Sequence, residues 1–349
     1  MQNINRFCRK ELKNIFNFSH VDTVQFFRNL TLSANKKSSM MMNDKILHEI
    51  KISIPLLDES KHKGQAGRIG IIGGSKEYTG APYFAAISAL KVGCDLSHVF
   101  CASEASQVIK SYSPELIVHP ILDKMNAYDE FLVWLPRLHS LVIGPGLGRD
   151  QNTFLLVKKL IMKAREEEKQ VVIDADGLWL VTTEPDIVKD YSATVLTPNA
   201  MEFVRLYKKL AGEDLALSNI TVDHVKWVAK SLGGVTIIAK GKIDIISDGK
   251  IAVKSDVEGS LRRCGGQGDL LSGSLGTFLH WMQSNSQENQ TESNPDCDTL
   301  MKATVLASFA ASCLTRRCSY LAFEKMNRHM TASDMIDQIP QAFSQLFSS

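Results

Sequence analysis

From residue 50 onward the chain alternates short apolar runs, rich in β-branched residues, with longer amphipathic ones, and this rhythm restricts its fold more than any other feature. The strand-like runs are Arg68–Ile72, Leu96–Phe100, Leu141–Gly144, Val171–Asp174, Thr194–Thr197, Val235–Ala239, Asp244–Ser247 and Ile251–Val253. The helix-like runs are Ala81–Val92, Phe154–Glu168, Asn199–Leu210, Val222–Ser231, Leu270–Met282 and Leu300–Leu314. Apolar strands separated by roughly 10–15-residue helical patterns predict βαβ units around a mostly parallel sheet, an α/β fold. Asp248-Gly249-Lys250 joins the last two strands as a hairpin turn and predicts an antiparallel pair at the sheet edge.

In such a sheet, ligands bind beyond the C-terminal ends of the strands. Every notable loop falls there: after Ile72, Ile143, Ile173, Leu196 and Ala239. Gly73-Gly74-Ser75 follows the first strand, with Pro82 placed for a first helical turn. It lacks both the GxGxxG spacing and a following Gly-Lys-Ser/Thr, which excludes a dinucleotide fingerprint and a Walker loop and leaves a substrate-side wall. Gly144-Pro145-Gly146-Leu147-Gly148 lets backbone approach a flat ligand, or is simply a compact turn. Asp174 and Asp176 put two carboxylates at one strand end, for substrate or a metal-bound water, Asp176 being more simply a helix cap. Asn199 and Glu202, three apart at a helix start, suit the water shell of Mg²⁺ and equally a capping box. Lys240-Gly241 is placed for a nucleotide phosphate or ribose, the plainer reading being a hairpin with solvated lysines.

The segment Arg262-Arg263-Cys264-Gly265-Gly266-Gln267-Gly268-Asp269 leads into a helical run. Bare amides at a helix N-terminus carry partial positive charge toward an anion, and a carboxylate beside them is poised to take a proton. An ordinary Asp cap after a Gly-rich loop is the plainer reading. The two arginines could lower the Cys264 thiol pKa, although a small residue filling a tight loop accounts for it as well. Arg316 and Arg317 read as a solvated helix end, Gln283–Asp298 as an exposed mobile loop between two helices, and Thr331–Asp334 as a helix start.

Charge narrows the function classes. Residues 1–40 hold seven Lys/Arg against Glu11 and Asp22, a net of +5, so the remainder of a chain with net charge +2 is at −3. A mildly acidic body argues against a nucleic-acid surface, and no apolar run is long enough for a membrane span. The cysteines at 8, 94, 101, 264, 297, 313 and 318 form no metal-binding spacing and read as reduced thiols. Residues 1–43 read as an N-terminal extension, a targeting segment or a floppy arm, and 44–347 as one domain.

Taken in order, Lys63-Gly64-x-x-Gly67-Arg68, Gly73-Gly74-Ser75, Tyr78-Thr79-Gly80-Ala81-Pro82, Gly144–Gly148, Asp174-Ala175-Asp176, Thr197-Pro198-Asn199-x-x-Glu202, Lys240-Gly241 and Gly265–Asp269 closely resemble the ATP-dependent NAD(P)H-hydrate dehydratases. These are a branch of the ribokinase-like kinases, and the resemblance covers roughly residues 45–345. It implies a three-layer sandwich whose mostly parallel central sheet is flanked by helices. It also implies a lyase that repairs hydrated NADH and NADPH, S-epimer NADHX and NADPHX, by phosphorylating the ring hydroxyl with ATP and expelling phosphate.

Carried over, the resemblance makes Asp269 the catalytic base that also touches substrate. It gives Gly146, Asn199, Ala200, Met201, Glu202, Phe203, Val204 and Arg205 to the hydrated dinucleotide. It gives Lys240, Gly241, Lys242, Ile243 and Asp244, with Gly259, Ser260, Leu261, Arg262, Arg263, Cys264, Gly265, Gly266, Gln267 and Gly268, to ATP. Asn199 and Glu202 would order the waters of Mg²⁺. Gln267 stands where wider ribokinase-like families carry a small residue, which favours this branch over a sugar kinase. The alternative is a ribokinase-like small-molecule kinase whose phosphorylated product is stable. The expected partners are small molecules, with neither nucleic acid nor membrane; a homo-oligomer is left open, and the expected location is the cytoplasm, the mitochondrion or both.

Overall fold

The computed structural model describes residues 43–290 and 301–348. The unit Glu49–Ser349 carries the fold. The extension read over residues 1–43 therefore lies almost wholly outside the described residues.

Nine strands form one sheet in the order β3-β2-β1-β4-β5-β6-β7-β8-β9. They are β1 Arg68–Ile72, β2 Leu96–Cys101, β3 Ile117–Pro120, β4 Ser140–Ile143, β5 Gln170–Ile173, β6 Thr194–Leu196, β7 Thr236–Ala239, β8 Asp244–Ser247 and β9 Ala252–Ser255. All pairs from β3 across to β7 are parallel, while β7–β8 and β8–β9 are antiparallel. The edge hairpin read from Asp248-Gly249-Lys250 is thus present, with Gly249 at φ 90.

The α-helices that follow β1 are α1 Gly80–Val92, α2 Ser103–Tyr112, α3 Ala127–Leu132, α4 Gln151–Glu166, α5 Ala175–Thr183, α6 Ala200–Ala211, α7 Val222–Ser231, α8 Gln267–Gln290, α9 Ala303–Met326, α10 Ala332–Ile336 and α11 Ile339–Phe347. The central strands are buried on both faces, and their alternate residues serve two cores. Leu141, Ile143, Val171 and Ile173 join Val157, Val181, Phe203 and Val228 of α4, α5, α6 and α7. Val142 and Ile69 face the opposite way, against Gly276 of α8. Each fully buried aliphatic side chain contributes about 1.5–3 kcal/mol, which is why apolar runs rather than alternating ones specify this layer. The result is the expected three-layer arrangement.

Two readings are corrected. Gln283–Asp298 reads as a mobile loop, but α8 runs through to Gln290; polar composition alone does not distinguish a helical turn from a loop, and residues 291–298 lie outside the described residues. Arg316 and Arg317 sit inside α9, which continues to Met326, rather than at its end. Thr331 does open a helix, through a capping box with Asp334. Among the described residues no helix is long and apolar enough to cross a membrane.

Helix α8 lies against α1 with almost no side chain between them. A Cβ on Gly273 would fall 2.0 Å from the Ala85 carbonyl oxygen. Alanine gains about 1 kcal/mol over glycine inside a helix, but a backbone oxygen cannot rotate away. Gly273→Ala is therefore expected to lose about 1–3 kcal/mol in urea unfolding; a gain in stability would show that the α1–α8 contact is not tight.

Candidate active site

The strand order reverses between β1 and β4, so the loops after these two strands face each other across a crevice. Their backbones lock together: Gly74 N–H donates to the Gly146 carbonyl at 3.1 Å and Gly144 N–H to that of Ile72 at 2.9 Å. Gly144 has φ 122, and a Cβ there would meet the Asp174 carbonyl oxygen at 1.9 Å. Only glycine allows the β4 and β5 loops this approach. Gly73 packs on the Pro145 carbonyl, and Ser75 Oγ is buried beside Gly148 with no hydrogen-bond partner among the described residues.

The Asp174-Ala175-Asp176 turn sends its two carboxylates apart. Ala175 holds φ 46, a left-handed conformation that costs an alanine about 1 kcal/mol. Asp174 Oδ1 accepts from Lys240 Nζ at 3.0 Å. Asp176 Oδ2 accepts from Gly148 N–H at 3.1 Å and its Oδ1 from Arg149 Nε at 3.3 Å. Asp176 thus ties the glycine loop instead of capping α5, whose N-cap is Asp174. Lys240 is not the solvated hairpin lysine of the plainer reading: it is largely buried, and its N–H donates to the Pro198 carbonyl at 2.9 Å, aligning the β6 and β7 loops. Burial opposes its charge, but Asp174, Glu202 and Asp269 outweigh that and hold the ammonium above its ordinary range.

Asn199 and Glu202 form the capping box of α6: Asn199 Oδ1 accepts from Glu202 N–H at 3.0 Å and Glu202 Oε2 from Asn199 N–H at 2.8 Å. Burial raises the Glu202 carboxyl pKa, with Lys240 pulling it back down and Asp174 adding to the rise. Of the segment Asn199–Arg205, Phe203 turns its side chain into the core, while Met201 and Arg205 stay exposed.

Helix α8 begins at Gln267, which places Asp269 in its first turn among amides without intrahelical acceptors. Gly266, at φ 88, backs onto Ala332 and Phe84, whereas nothing lies within 4 Å of a Cβ built on Gly265. One glycine anchors the loop and the next opens onto free space. Gln267 Nε2 donates to the Arg262 carbonyl at 3.1 Å and closes the turn. A Cβ on Gly268 would lie 3.4 Å from Lys240 Nζ and 3.6 Å from Asp174 Oδ2, so the two clusters are one. Burial and the neighbouring Asp174 push Asp269 up to about 7 while Lys240 pulls it down. Cys264 is corrected: burial outweighs the pull of Arg262 and its thiol pKa is raised, not lowered.

Sequence reading missed Arg316. From mid-α9 its Nε donates to the Val257 carbonyl at 2.6 Å, Nη1 to that of Gly241 at 3.3 Å, and Nη2 to that of Lys242, with Asp244 Oδ1 at 3.3 Å. Asp244 is buried; its Oδ1 also accepts from Gly241 N–H and its Oδ2 from Ser312 Oγ. Asp244 and Arg316 therefore frame the Lys240–Asp244 loop, which leaves Ile243 exposed, as Leu261 is on the neighbouring loop. Lys63-Gly64 lies apart from all this, at the N-terminal end of β1, with Gly64 N–H on Asp95.

A family model for NAD(P)H-hydrate dehydratases matches residues 69–341. The chain is 52% identical over 309 residues to ATP-dependent (S)-NAD(P)H-hydrate dehydratase of Danio rerio, covering 88% of this chain and 90% of that one. With the Homo sapiens protein of the same name it shares 49% over 317 residues, 91% and 89% of the two chains. A solved ADP/ATP-dependent NAD(P)H-hydrate dehydratase of Bacillus subtilis, crystallised with ATP and Mg²⁺, superposes with TM-score 0.62 at 19% identity, covering 86% and 97%. A ribokinase-like superfamily protein of Enterococcus faecalis gives 0.67 at 19%, covering 87% and 95%. The fold is ribokinase-like.

A carboxyl group held near 7 against an ordinary 3.8 is destabilising wherever it is ionised. The cost is absent below about pH 4 and complete above about pH 7. Asp269→Asn is accordingly expected to raise Tm at pH 8 and to leave it unchanged at pH 4. An equal Tm for both proteins at pH 8 would mean that Asp269 is not desolvated.

Proposed function

The chain belongs to the NAD(P)H-hydrate dehydratase family, and from that premise we propose that it dehydrates S-NADHX and S-NADPHX back to NADH and NADPH at the expense of ATP. The observation that carries the reading is Asp269: a carboxylate in the first turn of α8, beside the open Gly265, with its pKa moved to about 7. A base near neutrality can hold or release a proton at working pH.

Asp269 takes the proton of the ring hydroxyl as that oxygen bonds to the γ-phosphorus and ADP leaves. The amides of Gly265, Gly266, Gln267 and Gly268 stabilise charge on the transferring group. The hydrate's original ring carbon–oxygen bond then breaks with phosphate as leaving group, pushed by the ring nitrogen lone pair, and loss of the adjacent ring proton restores the double bond. Phosphate departs where hydroxide would not. Gly146 and the Asn199–Arg205 segment hold the dinucleotide; Lys240–Asp244 and Gly259–Gly268 hold ATP.

The residues fit a magnesium ion held through water. Three carboxylates, Asp174, Glu202 and Asp269, share one ammonium, an excess of negative charge with hard oxygen donors. Among the described residues no group of three His, Cys, Asp or Glu side chains could hold a metal directly. Asn199 Oδ1 and the Glu202 carboxylate would order its water shell, and the ion would neutralise charge on the triphosphate.

Purified protein given ATP, Mg²⁺ and NADH hydrate should form NADH and inorganic phosphate in equal amounts; a stable phosphorylated product would instead identify a kinase. Asp269→Asn should lower turnover by about 10²–10⁴-fold, and near-normal turnover would remove Asp269 as base. Arg316→Met should raise KM for ATP on the order of tenfold or more, from lost charge-assisted hydrogen bonds, with KM for the hydrate unchanged. Equal increases in both constants would assign Arg316 to general stability.

A further inference from the structure

A second cleft, of about 140 Å³, opens between α5 and α6 and is lined by Arg149, Asp176, Trp179, Thr182, Glu202 and Arg205 among others. Pockets enclosing a whole drug-sized ligand start at roughly 300 Å³, so this one admits a single end of a larger molecule. It adjoins the acid–base cluster: Glu202 lines the cleft and its carboxyl responds to Lys240 and Asp174. In sheet order it lies over β4–β6, whereas the loops given to ATP follow β7 and β9. A ligand whose reacting ring sits at Asp269 can therefore reach the cleft without crossing those loops.

The chemistry of the cleft is specific. Asp176 and Glu202 already accept from Gly148 and Arg149, and from Asn199. Arg149 uses only Nε in that contact, so both terminal nitrogens lack a partner among the described residues. Arg205 makes no hydrogen bond or ion pair with any described residue, while its charge is felt by Glu202. Two guanidinium groups with spare donors are a fork for phosphate oxygens. Arg149 Cζ lies 4.6 Å from the centroid of the Trp179 ring, which is still 41% exposed, so the cleft also offers an open aromatic surface. The strained Ala175 lines it and precedes Asp176, which accepts from Arg149.

We propose that this cleft is the subsite for the phosphate-bearing adenosine half of the hydrated dinucleotide, with Arg149 and Arg205 taking phosphate oxygens and Trp179 supplying the apolar wall. The inference rests on the dehydratase reading. The phosphate is either the adenosine-side phosphate of the pyrophosphate bridge, common to both hydrates, or the 2′-phosphate of the NADPH form. Arg149 and Trp179 are then binding residues remote from the reacting ring, so they set KM more than kcat.

The test compares Arg149→Met, Arg205→Met and Trp179→Ala with wild type on three substrates: NADH hydrate, NADPH hydrate and hydrated reduced nicotinamide mononucleotide, which lacks the adenosine half. The arginine variants should raise KM by roughly 10- to 100-fold, with little change in kcat, and Trp179→Ala should raise it less. An increase for both dinucleotides assigns the pyrophosphate, and one confined to NADPH hydrate the 2′-phosphate. On the mononucleotide Arg149→Met and Trp179→Ala should match wild type. Wild-type activity with KM unchanged in both arginine variants, or the same loss by Arg149→Met on the mononucleotide, overturns the subsite. A wild type that forms no reduced dinucleotide from either hydrate overturns the dehydratase reading itself, and the subsite with it.

Discussion

The site depends on one ammonium shared by three carboxylates. Lys240 is tied to Asp174 at 3.0 Å and lies within electrostatic reach of Glu202 and Asp269. Without it, three acids would be desolvated side by side, an arrangement that a protein tolerates only by protonating them. With it, the charges settle unevenly. Asp174 takes the direct contact, and Asp269, buried and repelled by Asp174, is left near 7. Two carboxyl groups brought around one lysine thus acquire different tasks through environment alone.

That cluster exists because loops from distant parts of the chain are locked by backbone rather than side-chain contacts. Asn199 and Lys240 are joined by a parallel bridge, and Lys240 N–H reaches the Pro198 carbonyl. Gly144 lets the β4 loop rest on the Asp174 carbonyl, and Gly266 lets the α8 entrance rest on Phe84 and Ala332. On the far side, Arg316 gathers carbonyls from the β7–β8 loop and from Val257. A guanidinium spans several acceptors in one rigid plane, which a lysine at that position would not do. Groups fixed this way are preorganised, so little reorganisation is left for the proposed phosphoryl transfer.

Much of this was legible in the sequence because it follows from local rules. Buried apolar runs marked the central strands, and the glycine and Asp/Asn loops after Ile143, Ile173 and Leu196 marked the crevice. The spacing of Asn199 and Glu202 gave the capping box. Other parts were not legible. Strand β3 is four residues long and contains His119 and Pro120, so it carries no strand pattern. Helix α5 starts at an alanine with positive φ and hides behind Asp-Ala-Asp-Gly. Arg316 and Asp244 look like surface charges in one dimension; only the packing of α9 on β8 and β9 makes them a buried frame. The division of labour between Asp174 and Asp176 likewise rests on the turn at Ala175, which composition does not reveal.

The central claim concerns the ionisation of a single carboxyl group, and ¹³C NMR of the Asp269 side chain reads it directly. Followed from about pH 2 to pH 10, its carboxyl resonance should titrate with a midpoint of about 7. The midpoint should rise in Lys240→Met, which removes the charge holding it down, and fall in Asp174→Asn, which removes the charge pushing it up. A midpoint at the ordinary carboxylate value of 3.8, unmoved by either substitution, would contradict the account.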